Sequence, residues 1–461
     1  MKCKVIDFYV SDDISVNLPG KKDFLSIRNN EGKREHVQKK LILCNLKELY
    51  ETFKEQNPEN KIGFSTFASL RPPQCVLAGS GGTHTVCVCA VHQNIKLMML
   101  GSNLASLTRH LPIPLVQYQD CFKLIVCPNP SSDCYFQKCP NCPGIKLLEE
   151  LLETVFDENE IDDITYKYWI SNPRCSLETF IKSSSDFIEI FSEHIVNLLP
   201  HDFIAKQQSS FLKSKKESLK DNESLVICDF AENYAFVIQD AVPGFHWNNN
   251  QVTIFPVVIY FKQNNEITHR SLIIISDNNH HDTVAVYVYL KIITDFIKDL
   301  NSTAAKVFYF SDGAPQQFKN FKNFVNIYYH KEDFNLDAEW HFFATAHGKG
   351  PCDGIGGVVK RKAAKASLQR PIDNQITTPE EFYEWAVEPN SLPSIAVKFS
   401  PESDYVNARE KLELRYITAK SITGTQKFHC IIPVTNGSIK AKEYSNSNLD
   451  RTCKLFKNLR K

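Results

Sequence analysis

The sequence has no excess of charge of either sign, no long apolar run and no internal repeat. It contains 53 Lys plus Arg against 53 Asp plus Glu, so any contact with nucleic acid must come from local basic patches. No stretch has the roughly eighteen uninterrupted apolar residues that a membrane span requires. The start, MKCKVIDFYVSDD, lacks the apolar centre of a signal peptide. These absences predict a protein of the cytoplasm or nucleus without a membrane segment.

The composition is that of a folded protein with more than one domain. Apolar residues make up 43% of the chain and charged residues 23%, which excludes disorder over most of its length. A chain of 461 residues also exceeds what one hydrophobic core usually serves. By pattern we divide it into an N-terminal region with a helical pair (1–70), a cysteine and histidine module (71–144), a helical linker region (145–222), a catalytic candidate (223–404) and a small β-rich C-terminal unit (405–461).

Two apolar stretches near the start have helical spacing. We expect one helix over Val37 to Lys54 and a shorter one over Ile62 to Leu70, separated by Asn57-Pro58. Two helices joined by a short turn are compatible with reading DNA, but a small helical cap on the next module explains the pattern as well.

Fifteen cysteines are many for a chain without a signal peptide, and eight of them lie between Cys75 and Cys142. In such a chain this clustering favours metal binding over disulfides, although buried free thiols are the alternative. Two pairs, Cys89-x2-His92 and Cys139-x2-Cys142, have the spacing of tetrahedral zinc sites, and we expect them to hold one structural Zn²⁺ together. The candidates for a second zinc site are Cys75, Cys87, Cys127 and Cys134.

From Ser224 onward the pattern changes to short β-rich runs and amphipathic helices. The order is SLVICDF, YAFVIQD, TIFPVVIYF and SLIIIS as strands, a helix capped by Asp282, the strand KVFYFSD, a helix around FKNFVNIYY, the strand WHFFAT and a helix near Asp353. This order predicts an α/β fold with a ribonuclease H-like mixed sheet and helices on both faces.

Three aspartates stand where such a sheet would bring them together. Asp229 lies in the first apolar run, Asp312 ends KVFYFSD, and Asp353 starts the last helix. Carboxylates that converge from different strands can hold two hard cations roughly 4 Å apart for phosphodiester chemistry. The structural alternatives are a turn role for Asp312 and a helix cap for Asp353. Glu232 is a candidate supporting acid, and Glu339 competes for the third position.

Several blocks resemble those of uncharacterised proteins encoded by invertebrate DNA transposons. The blocks are ICDFAENYAF, YFSDGAPQQFKN and AEWHFFATAHGKGPCDGIGGVVKR, together with the upstream segments VLAGSGGTHTVCVCAVHQNIKLM and KCPNCPG. The resemblance covers nearly the whole chain from about residue 35. It implies a DDE/D transposase with Asp229, Asp312 and Asp353 as the triad, although the commoner third acid is Glu.

The resemblance also implies cofactors and partners. We expect Mg²⁺ or Mn²⁺ at the carboxylates, double-stranded DNA at transposon ends as partner, a homo-oligomer and a nuclear location. His341 and His347 resemble the histidines near the last acid of Mutator-like transposases, while hydrogen-bonded core histidines are the alternative. The basic side chains of the last helix would contact the DNA backbone, or else form a solvated face. These are Lys360, Arg361, Lys362, Lys365 and Arg370.

Two further functions remain open. A transposase-derived factor that binds DNA or protein but has lost catalysis would keep the fold without the chemistry. A host nuclease of the same fold would cleave DNA without joining strands. Convergence of the three carboxylates and nicking of transposon ends distinguish these possibilities from an active transposase.

Overall fold

The computed structural model describes residues 2–11, 14–17, 24–28, 34–42, 46–77, 89–171, 174–242, 244–245, 249–348 and 350–457. The chain forms two compact units. The first comprises Met1–Val86, Gln208–Phe343 and Gly348–Lys461, and the second comprises Cys87–Gln207 and Ala344–His347. In the described part of the chain, no helix combines the length and apolar character needed to cross a membrane.

The N-terminal part of the first unit has its own small core, which includes Tyr9, Phe53 and Phe67. Its elements are α1 (Lys2–Val10), β1 (Ser15–Asn17), β2 (Phe24–Arg28), β3 (Arg34–Gln38), β4 (Lys40–Ile42), α2 (Leu46–Gln56), α3 (Phe64–Ser69) and β5 (Cys75–Leu77). The strands β1, β4 and β5 form one sheet, and β2 and β3 form a hairpin.

The helix expected over Val37 to Lys54 is only half correct. Its first part forms the end of β3 and all of β4, and the helix α2 begins at Leu46. Local spacing could not reveal this, because β4 is held by pairing with distant residues of β1 and β5. The shorter helix α3 lies within the stretch where it was expected.

A large mixed sheet dominates the rest of the first unit and confirms the α/β class. Its strands are β8 (Glu223–Cys228), β9 (Tyr234–Ala235), β10 (Gln251–Gln263), β11 (Glu266–Ser276), β12 (Lys306–Ser311), β13 (Asp337–Phe342), β14 (Ile395–Ser400), β15 (Cys430–Val434), β16 (Ser438–Lys442) and β17 (Arg451–Lys454). Their order is β14-β11-β10-β8-β12-β13-β15-β16-β17, and β9 pairs with the start of β10. The strands β8, β10 and β11 form an antiparallel meander, while β12 runs parallel to β8 and β13 parallel to β12. The expected strand YAFVIQD is reduced to the two residues of β9.

Helices cover both faces of this sheet. They are α10 (Thr283–Leu300), α11 (Phe321–Tyr328), α12 (His330–Phe334), α13 (Pro351–Gln369), α14 (Pro379–Val387) and α15 (Glu402–Ile417), with short 3-10 turns at Ile372–Asn374 and Thr425–Lys427. Side chains alternate along β11: Leu272 and Ile274 pack in the core that contains α10, whereas Ile273 and Ile275 pack with α13 and α14. Because both faces of the central strands are buried, apolar residues occupy consecutive positions in their sequences.

The C-terminal region is not a separate β-rich unit, which corrects the expected boundary at residue 405. LELRYI belongs to the helix α15, and Tyr405 and Leu412 of that helix are buried in the core with α10. The strands β15, β16 and β17 extend the main sheet beyond β13, where Trp340 pairs with Ile431.

The second unit is built from helices and one hairpin. Its elements are α4 (Ala90–Gly101), α5 (Leu104–Leu107), α6 (Tyr118–Ile125), α7 (Ser132–Tyr135), α8 (Lys146–Glu158), β6 (Asp163–Ser171), β7 (Cys175–Ser183) and the start of α9 (Ser184–Glu217), which ends in the first unit. The hairpin of β6 and β7 was not expected within a helical linker. Ile164 and Tyr166 of this hairpin are buried at alternate positions, while most of its other residues are partly or fully exposed. Two buried positions give too short an alternating apolar pattern to predict a strand.

We expect Asp282→Ala to destabilise the protein by about 1–2 kcal/mol. The Asp282 carboxylate accepts hydrogen bonds from the backbone N–H groups of Val284 and Ala285 and from the Tyr405 hydroxyl, so the substitution removes the cap of α10 and a tie to α15. The free energy of unfolding measured in urea checks this. Asp282→Asn keeps a capping oxygen and should cost less, and equal losses for both variants would contradict a capping role.

Candidate functional site

Two of the three predicted acids lie at the same edge of the main sheet. Asp229 directly follows β8 and Asp312 directly follows β12. These neighbouring strands are parallel, and Phe310 pairs with Ile227, so each aspartate lies two residues beyond a paired position. Parallel strands open their carboxyl ends on one edge, which brings the two carboxylates together.

The third acid, Asp353, lies in the first turn of α13. Its carboxylate accepts a hydrogen bond of 2.8 Å from the backbone N–H of Gly350, so it also has the capping role that was the structural alternative. A glycine lets this helix approach the segment after β8. A Cβ at Gly356 would lie 3.1 Å from the Cβ of Ala231, tighter than ordinary contact. The close packing holds Asp353 within electrostatic range of the other two acids.

Burial and neighbouring negative charge oppose the ionisation of Asp229 and Asp312. Burial, then Asp312, then Asp353, raise the pKa of Asp229 to about 8. Burial also raises the pKa of Asp312, with Asp353 adding to the effect, while the backbone N–H of Ala314 and the Lys319 ammonium oppose it. The hydrogen bonds that the acids accept in the described chain come from the backbone N–H groups of Phe230, Ala314 and Gly350. The site therefore favours either protons or additional cations.

Lys319 is the charged side chain that lowers the pKa of Asp312. It is only 3% exposed, and burial lowers its own pKa to about 7, an effect that Asp312 opposes. A lysine that is close to neutrality at physiological pH compensates little of the negative charge. The negative charge of the acids is therefore not balanced by Lys319.

A cavity of about 410 Å³ adjoins the acids and is lined by Asp229, Asp353 and Glu232, with Lys360 and Arg361 on the side of α13. Burial lowers the pKa of Lys360, and the nearby Glu232 opposes this shift. The cavity thus combines carboxylates with basic side chains.

The other basic residues of this helix lie elsewhere. Lys362 donates to the carbonyl oxygen of Ser391 at 2.9 Å, Arg370 pairs with Glu388 at 2.6 Å, and Lys365 is exposed. Of the five residues expected to contact DNA, the structure brings Lys360 and Arg361 to the cavity.

His341 and Glu339 do not join the acids. The His341 ring is buried on β13, where Nδ1 lies 2.8 Å from the Ser445 hydroxyl and Nε2 lies 3.5 Å from the Glu339 carboxylate. Glu339 also pairs with Lys306. Burial raises its pKa, but His341 and Lys306 lower it to about 2. The structure therefore supports the core alternative for His341 and gives Glu339 a structural partner.

Four cysteines of the second unit form a compact group. Cys127, Cys134, Cys139 and Cys142 have sulfur atoms that all lie within 4.8 Å of one another. Cys127 Sγ is 3.8 Å from Cys139 Sγ and 3.7 Å from Cys142 Sγ. In a tetrahedral zinc site with Zn–S bonds of about 2.3 Å, the sulfurs are about 3.8 Å apart. This group can hold a metal ion such as zinc. In the described chain, the three aspartates do not form a group of this tight, single-ion kind.

The expected combination of zinc ligands is corrected. Cys139 and Cys142 join Cys127 and Cys134, whereas Cys89 and His92 lie in a second group with His201 and His347. Of the remaining candidates, Cys75 is buried in the N-terminal core with its sulfur 3.5 Å from the Tyr9 carbonyl oxygen, and Cys87 lies outside the described residues.

Sequence reasoning missed His201 and gave His347 a different role, because these residues lie 112 and 258 positions from Cys89 and no ligand spacing connects them. The one local hint in the sequence is the His201-Asp202 pair within the mainly apolar stretch LLPHDFIA, and this pair has no ligand spacing that would mark it as a metal site.

Three family models match the chain, each described as a domain of unknown function: DUF8699 over residues 1–79, DUF8700 over residues 90–199 and DUF8701 over residues 208–445. The third match covers more than half of the chain. The chain belongs to the DUF8701 family. The match spans all three aspartates, and the DUF8700 match spans the four-cysteine group. No curated protein and no solved structure matches the chain.

Asp229→Asn should stabilise the protein at alkaline pH in buffer without Mg²⁺. The pKa of Asp229 is about 8 in the folded chain and about 3.9 in an unfolded one, so ionisation costs stability as pH rises through that window. Asn removes this cost, and the gain should grow from pH 5 to pH 8.5 and reach on the order of 1–3 kcal/mol.

Melting temperatures of wild type and variant across this pH range check the prediction. Asp295→Asn, at an exposed position of α10, is the matched control and should keep the wild-type pH dependence. If the melting temperature of Asp229→Asn varied with pH in parallel with wild type, the pKa of Asp229 would not be raised in the folded protein.

Cys142→Ser should remove the metal of the four-cysteine group and lower thermal stability, since a structural zinc contributes folding free energy. Zinc content per chain and the melting temperature are the measurements. The control is Cys175→Ser, which alters an exposed cysteine of the same unit. Unchanged zinc content in Cys142→Ser would mean that these thiols are free.

Proposed function

We propose that the protein is a DDE/D-type DNA transposase, or a domesticated descendant of one, in which Asp229, Asp312 and Asp353 hold divalent cations. The observation that carries the proposal is the proximity of these three acids beside a cavity that Asp229 and Asp353 line, with the pKa of Asp229 raised to about 8 by burial and by the other two. Such a concentration of negative charge costs stability unless bound cations compensate it, and strongly raised carboxyl pKa values are typical of functional sites.

The strand order supports a ribonuclease H-like domain. The segment β11-β10-β8-β12-β13 is an antiparallel meander joined to two parallel strands, which is the order expected for that fold. The acids follow its first and fourth strands and begin the helix after its fifth. This agreement between fold order and acid positions supports the assignment of the triad.

The donor set fits Mg²⁺ or Mn²⁺ rather than a soft metal, because all three side chains offer carboxylate oxygens. A pair of such ions would activate a water or DNA 3′-hydroxyl and stabilise charge on the phosphodiester. The chain itself contributes Lys360 and Arg361, whose positions along the cavity suit the DNA backbone, and Glu232 beside them.

Asp312→Asn should reduce Mg²⁺-dependent nicking of transposon-end DNA by about 100-fold or more, because it removes a metal-binding charge while keeping the side chain's size. The Asn oxygen can still accept the hydrogen bond of 3.1 Å from Ala314, so the fold should be retained. Binding to the same DNA should persist, since it depends on basic residues.

The assay uses DNA that flanks the coding region, with Mg²⁺ or Mn²⁺ and with Ca²⁺ for comparison. Asp295→Asn serves as the control and should nick like wild type. Equal nicking by wild type and Asp312→Asn would refute the catalytic role. DNA binding without nicking by wild type would instead identify a transposase-derived binding factor, and nicking without strand joining would identify a nuclease.

A further inference from the structure

The second cysteine and histidine group consists of Cys89, His92, His201 and His347, all in the second unit. One ligand atom from each residue lies within 4.8 Å of the others. Cys89 Sγ is 3.3 Å from His201 Nε2, and that nitrogen is 3.1 Å from His347 Nε2. These spacings suit the edges of a small coordination tetrahedron, which are about 3.3–3.8 Å for zinc.

Three segments supply the four side chains. Cys89 is the N-cap of α4 and His92 lies in its first turn, so a spacing of three residues brings both to one side. His201 comes from α9, and His347 from the segment 344–347 that follows β13. Such a set cannot arise from local sequence preference, because each segment must be brought to the same point by folding.

The surroundings of His92 are those of a metal ligand. Its Nε2 lies 3.3 Å from the Asp202 carboxylate, which also accepts a hydrogen bond from the Tyr118 hydroxyl at 3.0 Å and pairs with Lys206 at 2.8 Å. Its other ring nitrogen, Nδ1, is buried without a hydrogen-bond partner among the described residues. A carboxylate that fixes one ring nitrogen and leaves the other free is the usual arrangement behind a zinc-bound histidine.

The position of Cys89 also suits coordination. Its side chain is buried, and its Sγ lies 3.3 Å from His201 Nε2, with His92 and His347 in the same group. Cysteine and histidine are the usual ligands of a structural zinc ion. A simple hydrogen-bonded cluster would have no need of three imidazoles around one cysteine and would not leave His92 Nδ1 unsatisfied.

We propose that Cys89, His92, His201 and His347 bind a second structural Zn²⁺, separate from the four-cysteine group, with Asp202 orienting His92. One sulfur and three nitrogens suit zinc and exclude a hard ion such as Mg²⁺. Four protein ligands leave no open position, so the ion holds structure. It fixes the segment 344–347, which ends six residues before Asp353 in the chain.

Zinc content of the purified full-length chain tests this directly. We expect two zinc ions per wild-type chain and one in His201→Asn. One is also expected in Cys142→Ser, and none after both changes. His194→Asn alters a half-buried histidine of the same helix that lies outside the group, and it should retain two. One zinc in wild type, lost completely in Cys142→Ser, would overturn the proposal.

Cobalt replacement identifies which site remains in each variant. In Cys142→Ser the remaining Co²⁺ should have one thiolate ligand and a weak sulfur-to-metal absorption band, whereas in His201→Asn it should have four and a strong band. Equal bands would contradict the assigned ligands. Hydrogen exchange of residues 344–348 should be faster in His201→Asn and unchanged in Cys142→Ser.

The variant Asp202→Asn tests the same site if His201→Asn fails to fold. This variant keeps all four ligands but removes the charge that orients His92, so zinc affinity at this site should fall about 10–100-fold. Competition with a zinc chelator measures it. Wild-type affinity in a folded Asp202→Asn protein would show that Asp202 does not support a metal ligand. None of these measurements depends on DNA cleavage, so they succeed or fail independently of the proposed transposase activity.

Discussion

The crowding of three partly buried carboxylates, which opposes the ionisation of Asp229 and Asp312, is the constraint around which the first unit is organised. Of these two, Asp229 has the more strongly raised pKa, because burial and the charges of both other acids oppose its ionisation. Two of the acids follow buried parallel strands, and the third is anchored at a helix start by the Gly350 N–H. Backbone groups hold them in place without neutralising them. The fold therefore stores an unfavourable charge arrangement that divalent cations would relieve.

The two kinds of candidate metal site differ in the chemistry of their ligands. The acids offer only oxygen, and Asp229 and Asp353 border a cavity, which suits hard cations. The four-cysteine group offers four sulfurs, and the group of Cys89, His92, His201 and His347 offers one sulfur and three nitrogens, which suits ions that stabilise structure. This separation by donor atom would let one protein use both kinds of metal without exchange between them.

Strand order and the acid positions could be predicted because they depend on local signals. Continuous apolar runs such as KVFYFSD mark buried strands, and an aspartate that directly follows one marks a sheet edge. The zinc ligands could not be grouped in the same way. CxxH and CxxC spacings identify pairs, but only folding shows that Cys89 pairs with His201, 112 residues away, rather than with Cys139. The structural role of His341 was equally hidden, since Ser445 lies 104 residues further along the chain.

Other failures came from long-range pairing that overrides local preference. Residues Lys40–Ile42 fit a helix by spacing but form a strand between β1 and β5. LELRYI has a strand-like composition but packs as part of the helix α15, where Leu412 faces the core. In both segments, the neighbours that decide the structure lie far away in the sequence.

The extension of the sheet by β15, β16 and β17 also protects the protein against association. Without these strands, β13 would expose unpaired backbone groups beside the buried Trp340. The outermost strand instead is β17, a short segment with Arg451 and Lys454. Short, basic edge strands are poor templates for pairing with another chain. The C-terminal strands thus prevent another chain from pairing with the edge of β13. A chain shortened before Cys430 would tend to aggregate through that edge.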